Sequence, residues 1–144
     1  MPGKISEEEK SSIQNDARQQ SAEERYRAAE EDLQKKEADL KHVEARIDAN
    51  QKKQKEMQEG RERASEQYRK GEIDRKQYGD NMQFYNQREG EYIQDERYLQ
   101  SERESAQSKR DQAAKKCETA KKEMNEQKSR EQSQTRDHEK EHTV

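Results

Sequence analysis

Tyr78, Tyr85, Tyr92, Leu99, Ala106, Ala113 and Ala120 follow one another at steps of seven residues, with no charged or amide side chain among them. An α-helix returns every seventh residue to almost the same side, so this row draws a narrow apolar line along one helix face. A line that narrow suits one facing helix and not a globular core. The same step governs the earlier half of the chain. There Tyr26, Leu33, Leu40 and Ile47 recur, interleaved with Ala22, Ala29, Lys36, Val43, Asn50, Met57 and Ala64, a companion row broken by the polar Lys36 and Asn50. The later half has a poorer companion row of Met82, Glu89, Glu96, Arg103, Arg110, Cys117 and Met124. The spacing predicts an all-α chain, a long two-helix antiparallel coiled-coil hairpin. Its seam is expected at Tyr26, Leu33, Leu40, Val43, Ile47, Tyr92, Leu99, Ala106, Ala113 and Ala120.

Composition leaves few competing folds. Of 144 residues 45% are charged and 24% apolar, and Leu, Ile, Val and Phe together are too few to offset the ordering entropy of a globule. What remains is a thin seam between helices, or a chain that stays disordered until it meets a partner.

The fold-back point is written in local signals. Gly71 suits the left-handed backbone that ends many helices. Asp74 then offers an N-cap, Gln77 its capping-box partner, and Ile73 with Tyr78 the two positions of a hydrophobic staple. The expected organisation is a disordered N-terminus over 1–5, helix 1 over 6–70, a turn over 71–73, helix 2 over 74–130 and a frayed tail over 131–144. Two arms of about 65 residues would each run roughly 95 Å at about 1.5 Å per residue. One register between them sets Val43 near Leu99, Met57 near Tyr85, Ala64 near Tyr78 and Ala22 near Ala120. A shift of a few residues sets Leu33 opposite Ala113 and Leu40 opposite Ala106, and the sequence alone leaves both open.

Several function classes are disfavoured. Thirty-one basic residues are balanced by 34 acidic ones, and Lys35-Lys36, Lys52-Lys53, Lys115-Lys116 and Lys121-Lys122 stand among acids, so no basic stripe for nucleic acid emerges. No apolar run is long enough for membrane insertion or a signal peptide, which together with the lone Cys117 points to a cytoplasmic protein. Cys117 lies in a seam row and reads as a small apolar packer, and no catalytic site is expected. His138 and His142 have the i,i+4 spacing of a metal pair, but they sit in a tail without apolar support, so no metal and no cofactor is expected. There is no glycine-rich phosphate loop, and carboxylates spread over solvated helices lack the water-poor pocket that catalysis requires.

The aromatics carry the one positive functional signal. Tyr68, Tyr78, Phe84, Tyr85, Tyr92 and Tyr98 crowd around the turn. Tyr78, Tyr85 and Tyr92 belong to the seam, whereas Phe84, Ile93 and Tyr98 fall off it and form a candidate exposed patch for a protein partner.

Two long helices with an aromatic-rich middle, and in particular Asp74-Arg75-Lys76-Gln77-Tyr78-Gly79-Asp80-Asn81-Met82-Gln83-Phe84-Tyr85 followed by a charged helix, resemble the flagellar and type III secretion central-stalk family (FliJ/YscO-like). The resemblance implies a non-catalytic stalk in the pore of a hexameric secretion ATPase. Such a stalk contacts the export gate, takes part in escorting secretion chaperones, and is cytoplasmic but peripheral at a membrane-bound secretion machine. It further implies that the gate-contacting aromatics are Tyr78, Phe84 and Tyr85. The chain is poorer in Leu and richer in Gln and Glu than that pattern. Two other interaction readings stay open: an oligomeric coiled-coil scaffold or adaptor in which Asn50 and Lys36 set register with another chain, and a largely disordered chain that folds on binding.

Overall fold

The structure, a computed structural model, describes residues 6–142, with the side chains at 15, 17–20 and 135–142 outside the described set. Expectations for residues 1–5 lie outside it as well. The described residues form two helices, α1 (Glu7–Arg69) and α2 (Arg75–His142), which pack against each other with opposite directions. Residues rich in Glu, Gln, Lys, Arg and Ala supply the helix propensity. At the start of α1 the Ser6 hydroxyl accepts from the Glu9 amide at 3.2 Å, and Glu7, Glu8 and Glu9 put negative charge where the helix dipole favours it.

α1 stops because Gly71 adopts φ +74°. The Glu72 amide donates to the Gln67 carbonyl at 2.9 Å and the Gly71 amide to that of Tyr68 at 3.1 Å, the paired bonds that close a helix on a left-handed glycine. α2 then begins on a reciprocal box. The Gln77 amide donates to Asp74 Oδ1 at 2.7 Å, and the Asp74 amide donates to Gln77 Oε1 at 3.0 Å. Ile73 is half-buried beside it. The reversal therefore leaves few backbone groups without a local partner.

α2 runs unbroken through Gly79 and Gly90, and it continues to His142, well past the end expected at residue 130. The physical reason is that no Gly or Pro follows Gly90, and the Glu, Gln, Lys and Arg that dominate there are good helix formers even without apolar support.

The chain divides into two compact units. The turn unit, Ala38–Ser108, buries Leu40, Ile47, Ala64 and Leu99, together with the polar Asn50. The terminal unit, Met1–Glu37 with Lys109–Val144, buries Ala22, Ala113 and Ala120 among its described residues. Tyr26, Leu33, Val43, Tyr92 and Ala106 are half-buried.

Cross-helix pairs fix the register. In the turn unit Tyr68 stacks on Tyr78, Tyr85 covers Gly60 and Arg46 meets Glu102, each pair nearly symmetric about the turn. This places Leu40 level with Ala106 and Ile47 level with Leu99. Tyr85 therefore does not sit on Met57, nor Tyr78 on Ala64. In the terminal unit Arg25 meets Glu123 and Glu23 meets Lys128, consistent with Leu33 level with Ala113. Among the described residues no helix is long and apolar enough to cross a membrane.

Candidate protein-interaction surface

The turn unit holds most of the large apolar groups left in contact with solvent. Tyr68 is 43% exposed, Phe84 52%, Ile93 36% and Tyr98 64%; of the five large hydrophobics exposed among the described residues, only Ile13 lies in the terminal unit. Such groups in so charged a chain stand out, because scattered charge is what the rest of the surface offers.

Their directions separate them. Tyr98 follows Phe84 by fourteen residues, close to four turns at about 3.6 residues each, so both lie on one face of α2. Ile93 follows Phe84 by nine residues, about two and a half turns, and projects from the other side. Tyr78 and Tyr85 are half-buried and engaged in the helix contact. The five residues singled out from sequence thus divide into an outward pair, Phe84 and Tyr98, a separate Ile93, and two residues turned to α1.

The outward pair is set in a polar frame. Phe84 meets Tyr85 edge-on with ring centroids 5.4 Å apart, and the Arg88 guanidinium sits 5.8 Å from the Phe84 ring centre. Arg88 also lies 3.6 Å from Glu91, which shares the face of Phe84 and Tyr98. The Tyr98 hydroxyl donates to Glu102, and this bond, reinforced by the carboxylate's charge, holds the phenol above its ordinary pKa. Glu102 in turn pairs with Arg46 of α1 at 3.1 Å. Tyr98 is thus presented to solvent but tethered at its tip.

Beneath the aromatic face the helices are joined by polar bonds that the rows alone do not announce. Gln51 Nε2 donates to Glu96 Oε1 at 2.9 Å, and Gln54 Nε2 donates to Glu96 Oε2 at 2.6 Å and to Asn50 Oδ1 at 2.7 Å. These bonds from Gln51 and Gln54 lower the Glu96 pKa. Arg61 Nη1 reaches Glu89 Oε2 at 2.5 Å and Asn86 Oδ1 at 3.3 Å, and Arg103 lies 3.8 Å from Glu44. Glu89, Glu96 and Arg103 of the α2 companion row are therefore answered by polar residues of α1, whereas Arg110 bonds its neighbour Asp111 at 2.9 Å.

Gly60 is the other feature the sequence reading missed. It is buried, and a Cβ there would fall 2.6 Å from Cζ and 2.8 Å from Cδ1 of Tyr85, so the phenol ring lies directly on bare backbone. The available signal was the glycine itself, which costs about 1 kcal/mol relative to Ala in a helix interior.

In the terminal unit Tyr26 donates to Glu30, which raises the phenol's pKa, and Cys117 is half-buried. The side chains of His138 and His142 lie outside the described residues, and among the described residues no group of three His, Cys, Asp or Glu could hold a metal ion. Compared with known proteins, the chain matches no family model, no curated protein and no solved structure.

Proposed function

We propose that this chain is a non-catalytic interaction protein, an antiparallel coiled-coil hairpin that offers the Phe84–Tyr98 face of its turn unit to another protein. The observation that carries the reading is the pair of exposed aromatics on one side of α2, at 52% and 64% exposure, outside the half-buried rows that join the helices. The seven-residue rows coincide with the less exposed positions of both helices, which supports coiled-coil packing over a looser contact.

The partner that best fits is the one the family resemblance implies, a hexameric secretion ATPase with its export gate and chaperones. In that setting the hairpin is a stalk on the cytoplasmic side of a membrane-bound machine. The self-contained hairpin is favoured over an oligomeric scaffold by the bonds that reach from α1 to α2 within the one chain, Gln51 and Gln54 to Glu96 at 2.9 and 2.6 Å and Arg46 to Glu102 at 3.1 Å.

The test combines circular dichroism and light scattering with binding to a purified secretion ATPase ring. Phe84→Ala with Tyr98→Ala is expected to keep helicity and monomer mass while weakening binding by about tenfold or more, the range of an interface hot spot. Failure of the intact chain to bind the ring would remove the stalk reading. Loss of helicity in the double variant would show that these aromatics serve the fold.

A further inference from the structure

Four carboxylates of the turn unit are half-buried: Glu44, Glu89, Glu96 and Glu102. Three of them meet an arginine on the other helix. Arg103 lies 3.8 Å from Glu44, Arg61 2.5 Å from Glu89 and Arg46 3.1 Å from Glu102. Glu96 is the exception. Gln51 and Gln54 of α1 and Gln100 of α2 donate to its carboxylate, and among the described residues no cation lies within ion-pair distance of it. Neutral amides occupy a carboxylate's lone pairs and favour its ionised form, but they leave its charge unbalanced. Glu96 is therefore fixed and ionised, without the cation that its three counterparts have.

The surroundings of Glu96 define the cation that would suit it. Ile93, one helical turn earlier and exposed, borders with Glu96 an open groove of about 470 Å³ whose other walls are Arg97, Gln100, Ser101 and Glu104. Arg97 and Glu104 are of opposite sign, so Glu96 sets the balance of charge. Gln51, Gln58 and Ser65 of α1 and Asn86, Ile93 and Gln100 of α2 form two rows at steps of seven, and none of the six is charged in a chain of which 45% is charged. The two rows share one edge, because Gln51 and Gln100 converge on Glu96. A bare metal cation would gain nothing from Ile93. Lysine and arginine carry a charge on an apolar stem and match both halves of the groove.

We infer that the Ile93–Glu96 edge is a second docking site, which takes a basic side chain from a helix of another protein, its stem against Ile93 and its cation on the Glu96 carboxylate. This edge lies on the opposite side of α2 from Phe84, so the inference does not depend on what the aromatic face binds.

The probe is a fluorescein-labelled, hydrocarbon-stapled helix of Ala and Gln that carries one Leu and, four residues on, one Lys. Its twin carries acetyl-lysine, which keeps the stem and removes the charge. Fluorescence anisotropy with the full chain reads the affinity of each peptide. The Lys peptide should bind about fivefold or more tightly than its twin, the size of a hydrogen bond between charged groups, and added salt should shrink that difference. Glu96→Gln should erase the difference, and Ile93→Ser should weaken both peptides, with circular dichroism showing unchanged helicity in each variant. Glu91→Gln, on the Phe84 side of α2, should leave the difference intact. Equal affinity of the two peptides for the intact chain would overturn the proposal, as would a difference that survives Glu96→Gln or is lost equally in Glu91→Gln. Light scattering that showed the chain pairing with itself, with Ile93→Ser restoring the monomer, would also overturn it, because the occupant would then be a second copy.

Discussion

The turn unit and the terminal unit are built from the same two helices by different means. The first joins its helices with branched aliphatics and short polar bonds, Ile47 and Leu99 buried at one level and Glu96 clasped by two glutamines. The second buries only alanines among its described residues, and its cross-helix ion pairs, Arg25 to Glu123 at 3.6 Å and Glu23 to Lys128 at 3.7 Å, are exposed and longer than the turn unit's Arg46–Glu102 and Arg61–Glu89 pairs. Alanine lets helices come close but removes little apolar surface from water, and exposed ion pairs add almost nothing. Seams of the same period can therefore be held by different free energies in the two units.

The largest expected effect tests that difference. Leu99→Ala removes a buried side chain of the turn unit and should cost about 3 kcal/mol, whereas Leu33→Ala in the terminal unit, where the residue is half-buried, should cost about 1 kcal/mol. Urea unfolding followed by circular dichroism measures both. Equal losses would mean that the alanine-lined unit is packed as firmly as the other. Amide exchange should agree, with backbone protection highest between Ala38 and Ser108.

The periodic rows and the reversal were legible in the sequence, whereas the contrast between the units was not. The seven-residue rows marked which positions of α1 and α2 would be screened from solvent, because helix periodicity is fixed by backbone geometry. Gly71, Asp74 and Gln77 marked the reversal for a similar reason, since each satisfies a local backbone requirement. What could not be read was the register. It depends on pairs such as Gln54 with Glu96, far apart in the chain, and a periodic row does not distinguish one repeat from the next. Gly60 escaped notice for a related reason: its value lies in the ring of Tyr85, which only the register brings to it. Falling off the seven-residue row marks Phe84, Ile93 and Tyr98 as exposed but does not place them on one face, and the helix sends Phe84 and Ile93 to opposite sides.

Smaller effects sharpen the comparison within the turn unit. Gly71→Ala places a side chain at φ +74° and should cost about 1–2 kcal/mol through backbone strain alone. Gly90→Ala and Gly79→Ala meet nothing within 4 Å and should each raise stability by up to about 1 kcal/mol, the helix-propensity difference. Gly60→Ala gains the same propensity but drives its Cβ into the Tyr85 ring, so it should fall clearly short of the other two. Thermal melts of the three glycine variants side by side decide this. Three equal gains would show that Tyr85 moves aside freely and that the ring over Gly60 adds no constraint.

The smallest expected effect concerns acid. Glu96 has its pKa lowered in the folded chain, first by the hydrogen bond from Gln51 and then by that from Gln54. Its folded pKa therefore lies below its unfolded one, and between the two the unfolded chain binds more protons. The stabilisation is complete above the unfolded carboxylate pKa and is lost as pH falls through the lower, folded value. Glu96→Gln should remove that part of the slope of stability against pH, measured by urea unfolding across the acid range, and should cost only a modest amount near neutrality because the site is largely solvated. An unaltered slope would mean that the two glutamines do not grip the carboxylate in solution, and the aliphatic and aromatic contacts of the turn unit, with its Arg61–Glu89 pair, would then carry its difference from the terminal unit.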